Sequence, residues 1–206
     1  MKTNALWTNV WLLLFLSTLT WSGIAPKDNF TWFLEVLPAI IALAILVFTR
    51  KTFPLTTLSY SLILIHSIIL MIGGHYTYAE VPFFDDLAQL IGSDRNNYDK
   101  IGHFAQGFIP AIVAREIVIR QAVIHSLRWM NFFIVCFCLG FSAFYELIEW
   151  WVALASGEDA EAFLGTQGYI WDTQSDMMFA LIGAITALFV LSRYHNKQLG
   201  SINRER

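Results

Sequence analysis

Long apolar stretches separated by short polar segments make up most of this chain of 206 residues. A helix that crosses a bilayer needs about 20 mainly apolar residues. The pattern therefore predicts an all-α membrane protein, a six-helix transmembrane bundle that forms one domain over residues 1–206. The predicted spans cover roughly residues 6–24, 30–48, 58–73, 101–119, 130–154 and 175–191.

Composition agrees with this class. Hydrophobic residues make up 56% of the chain and charged residues only 14%, whereas a soluble domain carries about 25% charge. The net charge of −3 and the lack of a basic patch give no indication of nucleic-acid binding. The first apolar run, behind Lys2, is longer than the core of a signal peptide, and no A-x-A cleavage site follows. We therefore expect it to be retained as a span.

Loop charges predict the orientation of the spans. Basic residues follow the second, fourth and sixth spans, and acidic residues prevail in the two intervening long loops. The positive-inside rule then places both termini in the cytoplasm. A short interfacial helix is predicted within residues 83–92, after Pro82, and the polar tail after Arg193 is predicted to fray.

Three short polar segments interrupt the apolar pattern at the edges of spans: YDKIGHF (98–104), FYELIEWW (144–151) and WDTQSDM (171–177). Within each segment the polar residues are three or four positions apart, so they share one helical face. Acids are costly inside a membrane and mark functional sites by default. The predicted topology brings all three segments to one depth near the outer interface, and the inner half of the bundle is expected to be nearly dry.

Charge balance makes this depth a candidate metal site. Five acids meet there, and Lys100 is the only permanent cation expected beside them. Five carboxylates cannot all ionise without compensation, so they hold either protons or a divalent metal (Zn, Mn, Fe or Mg). Gln106 is positioned to orient His103. The candidate ligands are His103, Asp99, Glu146, Glu149, Asp172, Asp176 and His75.

Plainer interpretations exist for several of these residues. Asp99 and Asp172 are also good N-caps for the helices that follow them. His103 on an apolar face is also consistent with a hydrogen-bonded core histidine. Cys136 and Cys138 point to different helix faces, which favours apolar packing over metal binding.

Four longer motifs carry a resemblance to a known family. They are HYTYAEVP (75–82), YDKIGHFAQGFIPAIVAREI (98–117), FYELIEWW (144–151) and FLGTQGYIWDTQSDMMFALIGA (163–184). With them the chain resembles the YjdF-type bacterial inner-membrane family, which implies a six-span inner-membrane protein and no particular chemistry. A fainter similarity links Asp99, Lys100 and His103, followed by a glutamate and spaced acids, to the VanZ-like membrane proteins. The chain lacks the arginine and asparagine that usually accompany the last acids of that family.

These observations favour a membrane-embedded, metal-dependent enzyme acting on a lipid or envelope precursor from the bacterial inner membrane. Glu146 or Glu149 is the candidate general base, and Lys100 the candidate for stabilising developing negative charge. The alternatives are a cation- or proton-coupled transporter and a structural or accessory membrane protein. The one-sided placement of the acids and the lack of a repeat count against transport.

Overall fold

The protein is helical throughout the part described by a computed structural model, residues 5–90, 92, 95–156 and 166–204. Within these residues the chain forms seven helices and no strand, which confirms the predicted all-α class. The helices are α1 (Ala5–Ser22), α2 (Asn29–Thr49), α3 (Thr57–His75), α4 (Pro82–Leu90), α5 (Tyr98–Arg120), α6 (Leu127–Ser156) and α7 (Asp172–Arg204).

Local sequence signals account for several helix starts. The carboxylate of Asp28 accepts a hydrogen bond from the backbone N–H of Thr31 at 2.6 Å and so caps α2. The hydroxyl of Thr56 does the same for α3 through the N–H of Ser59 at 3.2 Å. Proline occupies the first position of α4, which confirms the short helix predicted after it.

Five of the described helices are long and apolar enough to cross a membrane: α1, α2, α3, α6 and α7. Helix α5 differs, because buried charged residues lie near both of its ends. It packs against α3, α6 and α7, while α1 and α2 pack against α3. Helix α5 is thus the centre of the half of the bundle that carries most polar groups.

Two glycines allow α5 and α7 to pack closely. A Cβ added at Gly107 would lie 1.8 Å from the carbonyl oxygen of Ala180, and one added at Gly183 would lie 2.1 Å from that of Phe104. Small residues permit such close backbone contact between helices in a membrane. This contact aligns the polar residues of α5 with those of α7.

The last helix corrects one expectation. The tail after Arg193 was predicted to fray, but α7 continues to Arg204 and buries His195 completely. Leu199 is also buried, at 6% exposure. The reason lies in the tertiary structure, because the polar tail packs along the other helices instead of extending into water.

Candidate functional site

Seven of the predicted residues lie together where α5 and α7 begin and α6 approaches its end. We call them the acidic cluster: Asp99, Lys100, His103, Glu146, Glu149, Asp172 and Asp176. All except the partly buried Glu149 are at most 9% exposed. The i,i+4 spacing within α5 and within α7 places their side chains on the faces that meet.

The part of the acidic cluster between α5 and α7 is an ion-pair network. The Nζ atom of Lys100 lies 2.9 Å from Asp172 Oδ1 and 2.6 Å from Asp176 Oδ1. Arg95, just before α5, also pairs with Asp172, and its guanidinium lies 3.7 Å from Asp99. Two cations therefore compensate the acids of α7.

This network corrects the charge balance derived from sequence. Lys100 was expected to be the only permanent cation beside the acids, but Arg95 is a second one. Arg95 lies in the loop between α4 and α5, and nothing in its local pattern indicates that it folds back onto the cluster. The guanidinium of Arg95 also lies over the ring of Tyr169, 5.3 Å from its centre. Tyr169 belongs to the loop before α7.

The part of the cluster between α5 and α6 is built around His103. Its Nε2 atom lies 3.3 Å from Asp99 Oδ1 and its Nδ1 atom lies 3.2 Å from Gln106 Oε1, so Gln106 contacts His103 as predicted. Glu146 Oε1 is 3.8 Å from Nδ1, is buried, and has no hydrogen-bond partner among the described residues. His103 thus lies between Asp99, which it contacts at 3.3 Å, and Glu146, which it contacts only at 3.8 Å.

Two sets of side chains have ligand atoms close enough to share a metal ion, within 4.8 Å of one another. One is Asp99, His103 and Asp176, and the other is His103, Glu146 and Glu149. Asp176 already holds the ammonium of Lys100. The second set is therefore the better candidate, because its carboxylates are not neutralised by a lysine or arginine among the described contacts.

His75 lies apart from these two sets. Its Nδ1 atom is 3.0 Å from the carbonyl oxygen of Ser22, and its ring contacts Trp21 and Tyr76. It joins the end of α3 to the end of α1. In the structure His75 therefore connects two helices and belongs to neither of the two candidate ligand sets.

Sequence reasoning missed a third group of polar side chains beside the cluster. Glu35, in the apolar α2, is 5% exposed and accepts a hydrogen bond from the hydroxyl of Tyr145 at 3.2 Å. Burial, with the Glu35 carboxylate nearby, raises the pKa of Tyr78, which lies in the turn after α3. The signal for Glu35 was available, since it is the only acid within the predicted span 30–48.

A groove of about 830 Å³ runs from this polar end along the bundle. Helices α3 and α5 form its floor, and α2 and α6 form its walls. Acids, imidazoles and phenols line one end, and mainly apolar side chains line the remainder as far as Thr49, Phe53 and Gln121. The acidic cluster therefore opens onto an apolar channel within the bundle.

The opposite end of the bundle is polar too, contrary to the dry inner half expected from sequence. Glu116 is fully buried and accepts hydrogen bonds from the hydroxyls of Ser59, at 2.6 Å, and Thr56, at 2.8 Å. It also contacts Arg120 at 2.9 Å and His195 at 3.3 Å. We call this group the Glu116 cluster. Glu116 lies within the predicted span 101–119 and is four residues before Arg120, a spacing that the sequence already offered, whereas only the fold brings His195 to them.

Comparison with known proteins gives this helical bundle a family. The family described as predicted membrane protein (DUF2238) matches residues 7–197. The chain belongs to this family. It is also 51% identical over 181 residues to inner membrane protein YjdF of Escherichia coli (strain K12). The aligned residues make up 88% of this chain and 87% of that protein. No solved structure matches.

Membership of the DUF2238 family confirms the resemblance to YjdF-type proteins. It also confirms a multi-pass inner-membrane protein, consistent with the five long apolar helices. Neither the family description nor the name of the relative assigns a chemistry, so function rests on the site geometry.

Proposed function

We propose that the protein is a membrane-embedded, metal-dependent enzyme that acts on a lipid or envelope precursor. The observation that carries this proposal is the position of the acidic cluster at the polar end of an apolar groove of about 830 Å³. Small-molecule sites have this form, a mainly apolar cavity with a few convergent polar groups.

A divalent metal fits the charge that remains in the cluster. Arg95 and Lys100 compensate Asp172 and Asp176, which leaves Glu146 and Glu149 beside one imidazole. The buried Glu146 oxygen without a hydrogen-bond partner needs a proton or a cation. An imidazole and one carboxylate, completed by water, suit Zn, Mn or Fe and leave the second carboxylate available as a base, whereas carboxylates with water suit Mg.

The proposed chemistry is hydrolysis or group transfer at a phosphoryl or acyl centre. A metal held there would lower the pKa of a water molecule and polarise the oxygen under attack. Glu149, which lines the groove, is the proposed general base, and Glu146 is the proposed ligand. Lys100, the sequence candidate for stabilising negative charge, does not line the groove, and Asp172 and Asp176 already hold its ammonium, so we propose for it the role of positioning the acids of α7.

We infer the orientation from charge. Helix α5 has 23 residues and, at 1.5 Å per residue, is about 34 Å long, enough for a sixth span. With six spans and the basic loops inside, both termini are cytoplasmic and the acidic cluster is periplasmic. A reporter fused after Arg120 should then read cytoplasmic, and one inserted after His75 should read periplasmic. The opposite result would move the cluster to the cytoplasmic leaflet and remove the envelope substrate.

Metal titration tests the proposal. Divalent metal should raise the melting temperature of the purified protein by mass action, because it binds the folded cluster. Glu146→Gln and His103→Gln should abolish this rise, whereas Glu80→Gln, an exposed acid paired with Lys27, should keep it. The titration uses Zn, Mn, Fe and Mg at two pH values. If no metal raises the wild-type melting temperature at either pH, the metal site does not exist.

The Glu116 cluster favours a second candidate, a cation- or proton-coupled transporter. Buried ionisable groups at both ends of α5 remove the argument that polar residues occupy one side only. Purified protein in liposomes tests this candidate with a pH-sensitive or metal-sensitive dye inside. Flux that Glu116→Gln abolishes would favour transport, and absence of flux with metal-dependent stabilisation would favour the enzyme.

A further inference from the structure

The groove carries an inference about which lipid the site receives. We infer that it binds a single linear hydrocarbon chain, with an ammonium-bearing head group held at the acidic end. This deepens the proposed function and rests on it for the claim that the bound lipid is a substrate. Lipid binding itself needs no metal.

The length and lining of the groove match one lipid chain. Glu35 and Thr49 both line it and are fourteen residues apart on α2, which corresponds to about 21 Å. One leaflet contributes about half of the roughly 30 Å hydrocarbon core. A chain from one leaflet therefore fits with room for a head group at the Glu35 end.

The rims of the groove open towards lipid. Ile45 on the α2 wall is 55% exposed, and Phe133 and Phe137 on the α6 wall are 51% and 53% exposed, although all three line the groove. The Tyr145–Glu35 hydrogen bond joins these two walls at the acidic end. A chain can enter sideways between α2 and α6 below this bond.

The charge of the polar end selects the head group. The lining includes Glu35, Asp99 and Glu149, but no lysine or arginine among the described residues. One of these acids, Asp99, is near His103. The remaining carboxyl groups offer oxygen acceptors to an ammonium, whereas a head group that carries only negative charge would find no lysine or arginine there.

A histidine in the floor of the groove is an independent indication of a ligand. The Nε2 atom of His66 is buried and has no hydrogen-bond partner among the described residues, and His66 lines the groove. Buried polar atoms are normally hydrogen-bonded. A polar group of the lipid next to its chain, such as an ester, would provide the missing partner.

Native mass spectrometry of the detergent-purified protein in EDTA tests the inference. The probes are lysophosphatidylethanolamine and lysophosphatidylglycerol with the same saturated chain. We expect the wild type to bind the ethanolamine lipid about tenfold more tightly, and Glu35→Gln to lose most of this preference while still binding the chain. Equal binding of the two head groups by the wild type would overturn the inference.

Matched tryptophan variants test where the chain lies. Ala42→Trp fills the groove from α2, whereas Ala44→Trp places the same ring on the exposed face of that helix. The first should reduce lipid binding at least about tenfold and the second should leave it unchanged. Val113→Trp, from the α5 floor, is a second blocking variant if the first does not fold. Equal binding by the folded blocking variant and the Ala44→Trp control overturns the inference.

The two proposals fail separately. Lipid binding in EDTA without any metal-dependent stabilisation would contradict the metal-dependent enzyme and leave the lipid site standing. Metal-dependent stabilisation without a preference between the two head groups would contradict the lipid site and leave the metal-dependent enzyme standing.

Discussion

Replacing Gly107 with alanine should separate α5 from α7. The added Cβ would lie 1.8 Å from the carbonyl oxygen of Ala180, whereas real contacts of this kind do not fall below 3.0 Å. The helices must therefore move apart by about 1.2 Å. Overpacking of this kind costs about 1–3 kcal/mol, which lowers the melting temperature of a chain of this size by roughly 2–12 °C.

The same movement should reach the acidic cluster. Lys100 lies seven residues before Gly107 on α5, about 10 Å along the helix. Its 2.9 Å contact with Asp172 would lengthen beyond the range of a good hydrogen bond. We therefore expect Gly107→Ala to weaken metal-dependent stabilisation as well as the fold.

Thermal unfolding of the purified variants checks this prediction. Gly140→Ala is the matched control, because an added Cβ on the exposed face of α6 meets nothing within 4 Å. Alanine favours helix by about 1 kcal/mol over glycine, so the control should melt at or above the wild-type temperature. If Gly107→Ala melts as high as Gly140→Ala, the close α5–α7 contact is wrong.

Three further variants probe other parts of the structure. Glu116→Ala leaves buried basic side chains without their acid and should cost about 3–5 kcal/mol of folding stability, seen as a large fall in melting temperature. Asp86→Asn, at an exposed acid, is the control and should change the melting temperature little. Equal melting temperatures of the two variants would contradict the Glu116 cluster. Lys27→Met removes an exposed ion pair with Glu80 and should leave the melting temperature unchanged near pH 7. Glu80 raises the pKa of Lys27 above 10.5, so any contribution is full below that pH and is lost as the pH rises through the raised value; pH-dependent stability near neutrality that Lys27→Met removes would refute this. Thr77→Gly relieves a positive φ of 56° and should raise the melting temperature by roughly 2–4 °C; a fall would mean that the turn depends on the threonine.

Much of the acidic cluster could be predicted from local spacing. Asp99 with His103 and Asp172 with Asp176 are one helical turn apart, so each pair shares a face wherever the helices lie. Together with span direction, this was enough to expect the three polar segments at one depth. His75 was grouped with them by depth alone, and depth does not determine which side of the bundle a residue faces.

The amino-acid sequence by itself determined the membrane class, the helical content and the approximate helix positions, because apolar length and periodicity are local properties. Only the tertiary structure decided which charges meet. Arg95 reaches Asp172 from a loop, Glu35 meets Tyr145 across the groove, and Glu116 meets His195 from a helix about 80 residues away. Such pairings depend on helix rotation and close packing, which two glycines permit between α5 and α7. The groove likewise exists only between packed helices, so no local pattern could have predicted it.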